Sequence, residues 1–194
     1  MKRGFTVVEL LVVIVVIALL ATIVTLAYRS SVDDSRYTAR RAAVQQLEAA
    51  IGNLKMQKNT INVGGYTANT SLVPDANGVC TYSAGGWIYN STASTYPCSV
   101  GKMLLLAKLV PIDFFDKVPP NEELEGATNK SEAAMMMYRC ETSTNRWLIY
   151  YYLKKPTQQD TDAMTSLRDS CPNSALTAAD MENYKMRAAV EIKL

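Results

Sequence analysis

The chain has 194 residues, enough for one domain of ordinary size beyond an N-terminal segment. Its 20 Lys and Arg against 18 Asp and Glu leave a formal charge of +2 with no long basic block, which argues against strong nucleic-acid binding. Histidine is absent, so the commonest general base and the commonest transition-metal ligand are both missing; this points away from an enzyme, and neither a cofactor nor a metal is expected.

The first element carries the most information. Lys2, Arg3 and Gly4 precede an apolar run that extends from Phe5 to about Tyr28. Roughly 20 apolar residues cross the hydrocarbon core of a bilayer, so this run is a membrane-span candidate. Lys2 and Arg3 bias the N-terminus towards the cytoplasm. Gly4 lacks a Cβ, which lets a protease approach its backbone closely. Glu9 stands inside the run, where a mid-span acid costs about 2.5–3.5 kcal/mol on insertion scales and is a functional hypothesis by default. A snorkelling glutamate in an ordinary signal anchor is the bland alternative. A secretory signal peptide cut after Thr25-Leu26-Ala27 is another, but the run is longer than such cores and no helix breaker precedes that cut.

Gly4, Phe5 and Glu9, in identity and spacing, resemble the N-terminus of a type IV pilin or pseudopilin precursor. The resemblance extends through about Ser30. It implies that a prepilin peptidase cuts between Gly4 and Phe5, and that the new Phe5 amine is N-methylated. It also implies that an assembly platform and its ATPase extract the subunit from the membrane into a homo-oligomeric helical filament. Phe5 would then carry a cationic amine into an apolar bundle, where an unpaired charge is expensive. Glu9 of a neighbouring subunit is expected to neutralise it and so to fix the axial stagger. Many pilins carry a proline where Leu26 stands, so a proline-assisted kink is not expected here.

Beyond the apolar run the helical pattern continues. Val44, Leu47, Ile51 and Leu54 recur at steps of three and four, the mark of one apolar stripe. Arg36, Arg40, Arg41, Glu48, Lys55 and Lys58 lie mostly off it. With no proline before Pro74 and no glycine between Gly4 and Gly52, one helix from Phe5 to Lys58 is predicted. At 1.5 Å per residue it would be roughly 80 Å long. Its first half suits lipid or a filament core; its second half suits the face of a sheet. The β-branched Thr22–Thr25 cluster and the Ser30–Ser35 stretch are its weak spots, and they leave both a straight and a bent helix open.

Residues 59–99 are rich in Thr, Asn, Ser and Gly, with turn signals at Gly64-Gly65, Asn77-Gly78 and Gly85-Gly86, and read as a solvated loop with a short strand near Trp87. Asn69, Asn90 and Asn129 each open an N-x-S/T triplet of a kind that arises by chance in such sequence. Asp75–Gly78 and Asp160/Asp162 do not reproduce a calcium loop. Lys102 to Leu109 predicts a short helix that ends before Pro111. Ala134–Cys140 and Trp147–Leu153 flank a polar turn at Ser143–Asn145 and predict a β-hairpin, its methionines in the core. Asp160–Asp169 predicts another short helix. Tyr184, Met186, Ala188, Val190, Ile192 and Leu194 alternate with Lys185, Arg187, Glu191 and Lys193, which predicts a terminal strand; a helix aligning Met181, Tyr184 and Ala188 explains fewer positions.

The expected fold is α+β and pilin-like: a long N-terminal helix whose C-terminal half packs on a small antiparallel sheet. Residues 1–4 would be the leader, 5–28 the transmembrane or filament-core half of the helix, 29–58 its amphipathic half and 59–194 the head. All four cysteines fall in this head, and an oxidising compartment favours disulfides over a zinc site, which lacks C-x-x-C spacing. Of three connectivities, Cys80–Cys98 and Cys140–Cys171 close the shortest loops; the second resembles the C-terminal disulfide loop of many pilins. The function implied is a type IV pilus subunit, held single-pass in the cytoplasmic membrane with its head outside and then built into a surface filament. A pseudopilin of a periplasmic or cell-wall secretion or DNA-uptake machine is the alternative, and a non-polymerising membrane-anchored adhesin or binding protein a third.

Overall fold

The computed structural model describes residues 6–58, 85–88, 100–124, 134–140, 146–171 and 177–193. The chain forms two compact units, Met1–Arg36 and Tyr37–Leu194. Helix α1 spans Val7–Lys58, uninterrupted through both weak spots. Thr22 and Thr25 donate their hydroxyls to the carbonyls of Ala18 and Ala21 at 2.9 and 2.8 Å, so neither hydroxyl competes with the helix ladder from outside.

The second unit is built on a four-stranded antiparallel sheet in the order β1-β2-β3-β4, from Gly85–Trp87, Met135–Arg139, Arg146–Tyr152 and Met186–Lys193. Its helices are α2 (Val100–Leu106), α3 (Gln158–Asp169) and α4 (Ala178–Asn183). The stripe read from the sequence is the core face of α1: Val44, Leu47, Ile51 and Leu54 are at most 4 % exposed. With Ala43 and Ala50 they form one cluster with Met135, Met137, Trp147, Ile149, Tyr151, Ala188 and Ile192, which α2 joins through Val100, Met103 and Leu104. The expected α+β arrangement is therefore present.

The opposite face of the sheet is covered too, which the sequence reading did not anticipate. Met136, Leu148, Tyr150 and Met186 pack there with Met164 of α3, Met181 of α4, Cys140 and Cys171. Strand β3 is buried at every residue from Trp147 to Tyr152. A strand covered on both faces reads as a continuous apolar run rather than an alternation, and Trp147–Leu153 is such a run. The three consecutive methionines, at 3, 2 and 0 % exposure, serve both clusters.

Three local expectations are corrected. Tyr184 does not start the last strand; it closes α4. That helix begins in a capping box, where Thr177 Oγ1 accepts from the Asp180 N–H at 3.2 Å and the Asp180 carboxylate accepts from the Thr177 N–H at 2.8 Å. Lys185 then enters the left-handed region at φ 56° and donates its N–H to Glu182 O. Met186 does not share a face with Ala188. Tyr151 pairs with Ala188 and Tyr152 with Met186, so Arg187 is an extra residue in β4, and a one-residue bulge reverses the inside–outside phase. Helix α2 covers Val100–Leu106 rather than Lys102–Leu109. It stops in a Schellman turn: Lys108, at φ 55°, donates to Leu105 O, and Leu109 donates to Leu104 O.

Cys140 and Cys171 are joined by a disulfide and both are buried. Cys80–Cys98, the Ser143–Asn145 turn, the Asn69, Asn90 and Asn129 triplets, Asp75–Gly78, Gly4, Phe5 and Leu194 lie outside the described residues.

Candidate functional site

The N-terminus of α1 is fixed by its own side chains. Thr6 precedes the first helical residue, and its Oγ1 accepts from the Glu9 N–H at 3.3 Å. Glu9 reaches back in turn, its Oε2 accepting from the Thr6 N–H at 2.8 Å and from the Thr6 hydroxyl at 2.9 Å. This reciprocal arrangement is a capping box, which satisfies donors the first turn of a helix leaves orphaned. Both of these bonds use Oε2.

From there the helix is apolar on all sides. Leu10 to Ile17 is an unbroken run of large aliphatic residues, each between 48 and 60 % exposed. An amphipathic surface helix shows one apolar stripe; one that is apolar all round needs a protein or lipid environment on every side. By length and composition this helix can cross a membrane. Its threonine hydroxyls are internally satisfied, as such surroundings demand.

The charged residues that follow Tyr37 do a different job. The Asp160 carboxylate, 5 % exposed, sits at the N-terminus of α3 and accepts from the Thr157 N–H and hydroxyl at 2.9 and 2.7 Å. It also accepts from the Tyr37 hydroxyl at 2.9 Å and from the Arg41 guanidinium, both on α1. Burial alone would raise its pKa; the Thr157 bonds, then Tyr37 and Arg41, outweigh that and hold it below 3.8. A depressed carboxylate stabilises the fold above its unfolded pKa, and that stability is lost as pH falls through the folded value. Asp160→Asn is expected to cost about 2–3 kcal/mol at neutral pH, because charge-assisted bonds to buried donors are lost. Wild type and variant should converge as pH drops below the ordinary Asp range. Thermal unfolding of both proteins across that range checks it; a gap independent of pH would contradict the assignment.

Arg40 corrects the reading that placed it off the packed stripe. It is 3 % exposed and donates Nε to Pro119 O at 3.2 Å and Nη2 to Pro120 O at 2.6 Å, with its guanidinium 4.6 Å from the Tyr152 ring centroid.

Among the described residues no group of three or more His, Cys, Asp or Glu side chains is placed to hold a metal. A shallow cleft of about 570 Å³ is lined by Leu105, Lys108, Leu109, Val110, Pro111 and Ile112. Its lining offers one ammonium and otherwise aliphatic carbons, which is no nucleophile–base set.

Residues 1–25 match the family model described as the prokaryotic N-terminal methylation motif. No curated protein and no solved structure matches the chain. The motif makes this N-terminus a prepilin-type segment, that of a type IV pilin-like or pseudopilin precursor. Such a segment is a prepilin peptidase substrate, belongs to the context of pilus-type assembly, and marks structural subunits rather than enzymes.

Proposed function

We propose, with the prepilin-type segment at residues 1–25 as the premise, that the protein is a structural subunit of a type IV pilus. It is cleaved between Gly4 and Phe5, N-methylated on Phe5 and polymerised through α1. The observation that carries this reading is the bare apolar surface of α1, from Val7 at 80 % exposure to Tyr28 at 69 %. In lipid before assembly, and among other copies of α1 afterwards, it is covered on every side. Residues 1–4 are then the leader, 5–28 the membrane and filament-core half, 29–58 the half whose stripe carries the sheet, and 59–194 the head.

The capping box gives Glu9 its place in this scheme. Thr6 engages Oε2, and a neighbouring Phe5 amine brought to the same depth finds the second oxygen. Two charges that are each costly in an apolar bundle are buried only as a pair. The partners of the reading are other copies of the chain, the prepilin peptidase, the membrane, and the platform and ATPase that drive extraction.

The test is mass spectrometry of the N-terminus of the mature protein, with electron microscopy using an antibody to the head. A methylated Phe5 start and long labelled surface filaments are expected. A methylated Phe5 with only short periplasmic or cell-wall filaments makes the chain a pseudopilin. Recovery of the intact Met1 start from bilayers, without filaments, overturns the reading in favour of an anchored binding protein.

A further inference from the structure

Arg146 stands at the crossing of two contacts that its sequence neighbourhood does not announce. It is the first residue of β3, and its carbonyl accepts from the Cys140 N–H at 3.0 Å. Its guanidinium reaches the far end of α3. Nη1 donates to Ser170 O at 2.6 Å and Nη2 to Ser170 Oγ at 2.7 Å. Ser170 is the residue before Cys171, and the Cys171 N–H is itself fixed to Arg168 O at 2.9 Å. Glu191 on β4 aims the guanidinium, accepting from Nε at 3.0 Å and from Nη2 at 3.3 Å. One side chain and its own carbonyl thus hold the backbone on both sides of a disulfide whose cysteines are 31 positions apart in the chain.

We propose that Arg146 is a positioning residue for formation of the Cys140–Cys171 bridge. Its contacts go to Ser170, Glu191 and the Cys140 N–H, none of which involves a sulfur, so they can form in the dithiol as well as in the oxidised chain. In the reduced fold they bring the two thiols within reach, and closure becomes an intramolecular step between prearranged groups. The chemistry is thiol–disulfide exchange with a disulfide oxidant, either a small molecule or a protein. One cysteine loses its proton, and its thiolate attacks the oxidant, releasing one thiol and leaving a mixed disulfide. The second cysteine, also deprotonated, displaces the other oxidant sulfur as a thiol and forms the S–S bond. Two electrons pass to the oxidant, and two protons leave the cysteines for the two thiols it becomes. Both cysteines are buried in the finished head, at 0 and 3 % exposure. An unguided pair would have to meet before the surrounding core closes. The inference does not depend on the filament reading.

The test uses the full-length chain in detergent, equilibrated in buffers of reduced and oxidised glutathione. Alkylation and peptide mass spectrometry then read the Cys140–Cys171 pair separately from Cys80 and Cys98. Arg146→Met is expected to lower the effective concentration of the two thiols by about tenfold or more, since it loses the charge-assisted bonds to Ser170. Arg146→Lys keeps the charge but cannot fork between Ser170 and Glu191, so it should recover only part of the loss. Ser170→Ala removes one of the two acceptors and should show the smallest drop. Circular dichroism of the reduced chains separates positioning from global unfolding. A tenfold drop in Arg146→Met that exceeds the drop in Ser170→Ala, with the reduced forms folded, supports the proposal. An Arg146→Met value within about twofold of wild type overturns it. So does a drop seen only where the reduced fold is lost, or a drop equal in all three variants.

Discussion

Glu9→Leu is expected to abolish filament assembly while leaving cleavage at Phe5 and membrane insertion intact. The substitution lengthens the apolar run, so the anchor is improved rather than damaged. What it removes, on the proposed reading, is the counter-charge to the Phe5 amine. A Phe5 ammonium drawn into a bundle of helices like α1 would then be buried alone, which costs several kcal/mol per subunit. Each 1.4 kcal/mol is a factor of about ten in an association constant, so a loss of that size stops growth rather than slowing it. Loss of the cap is the competing explanation, since Glu9 also accepts from the Thr6 N–H and hydroxyl. A cap contributes about 0.5–2 kcal/mol, and Thr6→Ala isolates it. Thr6→Ala should reduce filament yield modestly, Glu9→Gln severely and Glu9→Leu completely, as read by sheared-filament yield against total membrane protein. Normal filaments from Glu9→Leu would sink the charge-pair account, and equal failure of Thr6→Ala would transfer the effect to the cap.

The parts of this molecule that were legible in the sequence are those whose physics is local. The α1 stripe repeats every three or four residues, so Val44, Leu47, Ile51 and Leu54 could be named as a face before any partner was known. The N-terminal segment was legible as a motif because residues 1–25 are a linear stretch of chain, matched as such and not as a folded surface. Thr157-x-x-Asp160 and Thr177-x-x-Asp180 are capping patterns, and the second of them, read as such, would have placed α4. The phase of Met186 was not legible. It is set by the extra residue Arg187 in β4, and a bulge leaves no trace in a hydrophobic alternation that looks continuous. The cover on the second sheet face was half legible: Trp147–Leu153 carries no polar alternation, which is what burial on both sides produces. Asp160 and Arg40 were hidden for the same reason as each other. Their partners lie far along the chain, Tyr37 being 123 residues from Asp160, and the carbonyls that Arg40 serves 79 and 80 residues away.

Arg40→Ala is expected to destabilise the Tyr37–Leu194 unit by about 3–5 kcal/mol. Two terms add. The first is the volume of a side chain that is 3 % exposed and lies against the face of Tyr152. The second is polar. Pro119 and Pro120 have no N–H to offer a helix or a sheet, but their carbonyls still need donors where they turn against α1, and Arg40 supplies both. Tyr152 extends the chain of contacts, since its buried hydroxyl donates to Glu123 Oε1 at 3.1 Å. Burial first, and then the Glu123 charge, push that phenol up to about 12, so it remains a donor at any working pH. Arg40→Met restores most of the volume and none of the donors, whereas Arg40→Lys restores a charge that reaches one carbonyl and stacks poorly. Ala should therefore lie below both, and the gap between Ala and Met measures the packing term alone. Thermal unfolding of the full chain in detergent, followed by aromatic near-ultraviolet dichroism, reads all three. The membrane half of α1 is untouched by these changes, so each variant should still insert and be cleaved. A filament yield that falls in step with head stability would locate the defect in Tyr37–Leu194, and an Arg40→Ala protein within about 1 kcal/mol of wild type would remove Arg40 from the structural role given to it here.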